Sequence, residues 1–75
     1  MSFTFQIVFR PEPEGGYTVI VPSLPGCITY GETLDEAKAM AQEAIGLFIE
    51  VLRERNEEII DDTHTFDTRL HISVP

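Results

Sequence analysis

An α+β domain of order β-β-β-α-β is what this sequence predicts, and three observations carry that expectation. Residues 3–9, "FTFQIVF", place Phe3, Phe5, Ile7 and Phe9 on one face and Thr4, Gln6 and Val8 on the other, the period of a half-buried strand. Residues 34–55 repeat apolar positions at helical spacing behind a capping threonine. Residues 66–74, "FDTRLHISV", return to strict alternation, with Phe66, Thr68, Leu70, Ile72 and Val74 opposite Asp67, Arg69, His71 and Ser73.

The elements between follow in order. "RPEPEGG" joins two prolines to a glycine pair and reads as a turn. "YTVIVP" is a second strand, alternating Tyr17, Val19 and Val21 against Thr18 and Ile20, and Pro22 ends its pairing by removing a donor. "SLPG" makes a corner, and "CITYG" is a short third strand. Connections this short predict antiparallel pairing of all three.

Thr33 then opens the helix. Its hydroxyl caps the first turn while Glu36 reaches back, and Asp35 and Glu36 suit the positive end of the helix dipole. Leu34, Ala37, Ala41, Ala44, Ile45, Phe48, Val51 and Leu52 form the core stripe, the alanines permitting close approach to a sheet. Met40, Leu47 and Ile49 widen that stripe beyond what one sheet face covers, which predicts self-association as a dimer or tetramer. "NEEIIDDTHT" is a charged connector with room for a turn at Ile59 and Ile60. The last strand, returned by the helix, is expected parallel to the first, with the helix on one sheet face and polar residues on the other.

Residues 1–75 make one domain, near the lower size limit for a single core. The lone Cys27 excludes an internal disulfide and favours a reducing compartment. The N-terminus lacks the basic and apolar regions of a signal peptide, and no apolar run approaches the roughly 20 residues that span a bilayer. A cytoplasmic protein without membrane contact is expected. Thirteen acidic residues against five basic ones give a net charge of −8, which disfavours nucleic acid and suits a basic protein partner, although solubility alone also explains it.

Candidate chemistry is sparse. The element order is similar to half of a ribonuclease H fold, but metal-assisted cleavage needs converging carboxylates and the first strand carries none. A degenerate metal-dependent nuclease is the weakest reading. His64 and His71 lack the company a zinc site needs, and Cys27 reads as a small buried hydrophobe. Neither cofactor nor metal is expected. Glu36, Glu43, Glu50 and Glu57 recur every seven residues along one helix side, thickened by Glu54 and Glu58. They are either a solvated face or a docking surface for a basic partner.

The stretch from Gly15 to Ile45 resembles the HicB-like antitoxin family. The likeness rests on Gly16 and Tyr17, a strand ending in Val21 and Pro22, and the corner Leu24, Pro25, Gly26 and Cys27. It continues through the turn at Gly31 and the helix start Thr33, Leu34, Glu36 and Ala37 to Ala44. The resemblance implies a partial ribonuclease H-like domain without catalysis. It further implies a function: covering a small, basic HicA-type ribonuclease that degrades mRNA. Family members typically continue into a DNA-binding helix-turn-helix or ribbon-helix-helix domain, whereas the fourth strand here ends at Pro75, so direct DNA binding is not expected. A self-associating domain with another protein or a small-molecule partner is the alternative. The motif positions read as architectural: they set two corners that seat the helix on the sheet.

Overall fold

A computed structural model describes residues 2–75. Strands β1 (Val8–Pro11), β2 (Tyr17–Ile20) and β3 (Ile28–Gly31) form an antiparallel sheet in the order β1-β2-β3, and helix α1 (Leu34–Glu54) packs on one face. The three predicted strands, their pairing and the long helix are all present, in an α+β arrangement.

β1 is shorter and later than residues 3–9, for a reason set by its partner. Val8 pairs with Ile20, the last residue of β2, after which the chain turns at Pro22 and offers no ladder to residues 3–7. The β1–β2 turn is closed by the Glu12 amide on the Gly16 carbonyl at 3.0 Å, with Gly15 and Gly16 both at positive φ. A Cβ at Gly16 would overlap the Tyr30 ring, whose hydroxyl donates to the Gly15 carbonyl at 3.0 Å. The corner after β2 is a run of turns. The Leu24 amide bonds to Val21 and the Cys27 amide to Leu24, while Gly26 takes φ 88°. This folding buries Leu24 and Cys27 against Val21, beneath Phe48 and Leu52. A second cluster joins Val19 to Ala37 and Ala41 of the helix.

Both helix ends are closed as their residues require. Thr33 Oγ1 accepts from the Glu36 amide at 3.1 Å, and the Glu36 carboxylate accepts from the Glu32 amide at 3.2 Å. At the other end Asn56, at φ 56°, takes the left-handed position usually held by glycine. The Asn56 amide bonds to Arg53 and the Glu57 amide to Leu52, the double closure of a Schellman motif.

α1 rests mainly on β3, less on β2, and leaves the β1 side largely uncovered. Gly31 sets that position. A Cβ there would sit 2.4 Å from the Ala37 nitrogen and 2.5 Å from its Cα, so the helix backbone lies where a side chain would be.

Two expectations are corrected. Residues 66–74 alternate as predicted but form no fourth strand parallel to β1, and every residue from Thr63 to Pro75 is exposed. Alternation makes a strand only where backbone groups pair with an edge, and among the described residues no backbone bond joins residues 66–74 to β1. The uncovered sheet face is also less polar than expected. Register aligns Val8, Ile20 and Ile28 in one cross-strand row, with Ile28 62% exposed.

Gly31→Ala should destabilise the fold by about 2–3 kcal/mol, since neither backbone can yield without lifting the helix. Denaturant unfolding of the variant measures this; an unchanged midpoint would mean that the close approach does not seat the helix.

Candidate protein-binding surfaces

No convergent set of reactive groups emerges. Among the described residues, no group of three or more His, Cys, Asp or Glu side chains is placed to hold a metal ion, and the strands carry no acid. Cys27 is buried, and burial pushes its thiol above the usual value, which keeps it protonated and a poor nucleophile. His64 and His71 are both exposed. What the fold presents are surfaces.

The first is the outward side of α1. By helical periodicity Glu43, Glu50 and Glu54 lie away from the buried Ala37 and Ala41. Between that acidic row and the core run Met40, Leu47 and Val51, all exposed, so an apolar stripe borders the acids. Of the predicted row, Glu36 is engaged in the N-cap, and Glu57 leaves the helical line because the chain turns at Asn56. Arg55 and Glu57 make the sole salt bridge among the described residues, at 3.8 Å and exposed. Glu43, Glu50 and Glu54 therefore stand as uncompensated charges.

The second surface is a groove of about 570 Å³ between residues 3–7 and the β1-side flank of α1. Phe3, Phe5 and Ile7 form one wall, and Lys38, Gln42 and Ile45 stand on the other. It exists because α1 is seated over β3. The Arg53 guanidinium sits 6.0 Å from the centre of the Phe3 ring, a cation–π contact that caps this wall.

Sequence reasoning missed the node that holds residues 3–7 in place. Asp62, only 8% exposed, accepts from the Ser23 hydroxyl at 2.6 Å and from the Gln6 amide at 2.8 Å, while its own amide donates to the Thr4 carbonyl at 2.7 Å. Asp61 accepts from the Thr4 amide at 2.9 Å and from the Thr63 hydroxyl at 2.8 Å. Two carboxylates thus replace the strand that β2 no longer provides. Hydrogen bonds from Ser23 and then Gln6 hold Asp62 below the usual carboxylate range; those from Thr4 and then Thr63 do so for Asp61. The available signal was the Asp-x-Thr spacing at 61–63, an Asx-turn pattern.

The motif residues lie where the chain bends or packs. Gly16, Pro22, Pro25 and Gly26 are at turns; Leu24, Cys27, Gly31 and Ala37 are buried; Tyr17 packs beside Val19; Thr33 caps α1.

A chain with this sheet, helix and corner matches the family described as HicB-like antitoxin of bacterial toxin-antitoxin system, over residues 5–71. It belongs to that family. A UPF0150 protein of Thermoplasma acidophilum is 41% identical over 77% of this chain and 84% of its own length. Antitoxin HicB 1 of Photorhabdus laumondii is 38% identical over 77% of this chain, and antitoxin HicB of Escherichia coli 36% over 73%. The matched stretch spans only 37% and 40% of those two antitoxins. Among the described residues no helix is long and apolar enough to cross a membrane.

The depressed values of Asp61 and Asp62 fix a pH dependence. Stability from a carboxylate whose folded pKa lies below the ordinary 3.8 is complete above that value and is lost as pH falls through the lower one. The unfolding temperature should therefore fall steeply in acid, and Asp62→Asn should lower it at neutral pH and flatten the acid slope. Thermal melts from pH 2 to 7 check this; parallel curves for the two proteins would refute the role of Asp62.

Proposed function

We propose that the chain is a non-catalytic antitoxin domain that sequesters a small basic ribonuclease of the HicA type by occupying its surface. The observation that carries the reading is the uncompensated row Glu43, Glu50 and Glu54 beside Met40, Leu47 and Val51, on a member of an antitoxin family. Acids at a rim attract and orient a basic partner, and apolar side chains beside them supply contact area once docked. Glu36, held in the N-cap, and Glu57, turned away after Asn56, flank this surface without carrying it.

The same reading takes the domain as cytoplasmic, without affinity of its own for nucleic acid, and as a homo-oligomer, dimer or tetramer. It also places the three strands and the helix in a partial ribonuclease H-like frame. The apolar row Val8, Ile20 and Ile28 supports self-association on the uncovered sheet face.

Co-expression with the cognate toxin tests the function. Growth should be restored and the two proteins should co-purify. Glu43→Lys with Glu50→Lys should weaken the complex on the order of tenfold at low salt, with a smaller effect as salt rises. Unchanged affinity would move the contact off this face, and failure to co-purify would remove the antitoxin reading.

A further inference from the structure

Residues 66–74 behave as a strand without a sheet. Their alternation is strict, yet Phe66 is 88% exposed and Leu70 82%, and Ile72 and Val74 are exposed too. Among the described residues, no backbone group beyond Thr65 bonds to another part of the chain. The domain is also long for its size. Its radius of gyration is 14.4 Å and its greatest extent 49 Å, where a compact chain of this length has a radius of roughly 11 Å.

The sheet carries a matching deficit. Thr4 and Gln6 direct their amides to Asp61 and Asp62. By the alternation of an extended chain, the amides of Phe3, Phe5 and Ile7 point to the opposite edge, where among the described residues no strand pairs with them. That edge borders the groove walled by Phe3, Phe5, Ile7 and Ile45. A free edge beside an apolar groove is the receiving half of a strand addition.

The chain's own segment does not fill it. Its root is pinned by the Asp61–Asp62 node and by the Thr65 amide on the Asp62 carbonyl at 3.0 Å. It then passes β1 across an open cleft of about 480 Å³, lined by Gln6, Ile7, Val8 and Phe9 on one side and by Asp67 and Arg69 on the other. A basic protein is a poor occupant for the groove, whose wall is aromatic and aliphatic and which carries Lys38 beside Asp35. The segment itself suits the groove: one acid, one arginine and an apolar face.

We infer that residues 66–74 are exchanged between two copies of this chain. Each segment pairs with the free edge formed by residues 3–9 of the other copy and lays Phe66, Leu70, Ile72 and Val74 into its groove. Reciprocal exchange closes a two-fold dimer and leaves no unpaired edge on the β1 side. The inference stands independently of any toxin, because it concerns the opposite flank of α1 from the acidic row.

Light scattering on the full chain, joined to a cross-linking experiment, tests it. The wild type should be dimeric at tens of micromolar, and Leu70→Asp with Ile72→Asp should raise the dimer dissociation constant at least tenfold. His71→Asp, on the other face of the segment, should not. Leu70→p-benzoylphenylalanine in a mixture of isotopically light and heavy chains provides a readout that survives if the double variant fails to fold. Irradiation should give mixed-isotope products mapping to residues 3–7 or 38–45. A monomeric wild type, a dimer indifferent to the double substitution, cross-links within one chain, or cross-links to other surfaces would each overturn the exchange.

Discussion

The contact between Gly31 and Ala37 positions nearly everything else in this domain. Because β3 has no side chain at that point, the first turns of α1 settle directly onto its backbone. The helix is thereby drawn towards one edge of a three-stranded sheet, resting on β3 and β2. Two surfaces follow from this offset: an acidic, apolar-bordered helix flank on the β3 side, and an open groove on the β1 side. A helix centred on the sheet would cover the groove and bury more of Met40, Leu47 and Val51.

The small core fits this arrangement. Its fully buried side chains are short, with alanine at 37 and 41 and nothing larger than valine or cysteine without exposure. Larger apolar groups stand at the margins, half-buried in the groove wall or exposed along α1. For a domain of this size, margins closed against another chain would add stability. In a family of antitoxins, the margins are also where recognition is expected. The absence of a nucleophile in the most constrained stretch is then intelligible. Its glycines, prolines and buried Leu24 and Cys27 serve geometry, and recognition is left to the side chains on the outside.

Legibility in the sequence followed the range of the interactions. Short-range signals were readable: the glycine pair at the first turn, the Pro22 stop, the Thr33 cap and the helical period of 34–54 all describe neighbours in the chain. Long-range ones were not. The true start of β1 depends on where β2 ends; the Asp62 node joins residues 4, 6, 23 and 62; the Val8–Ile20–Ile28 row appears only once the register is known. Asn56 was readable in principle, since asparagine is the residue after glycine most tolerant of the left-handed conformation, and it accounts for Glu57 leaving the acidic row. The terminal alternation was seen correctly, but a pattern of two names a strand without naming its neighbour.

We propose that this domain acts by covering a partner and breaks no bond itself. Titrating the purified chain into its cognate ribonuclease while following RNA cleavage is the most direct measurement. Cleavage should stop at a fixed stoichiometry, the free chain should leave RNA intact, and added salt should weaken the inhibition. Cleavage by the chain alone, or inhibition that needs no stable complex, would contradict it.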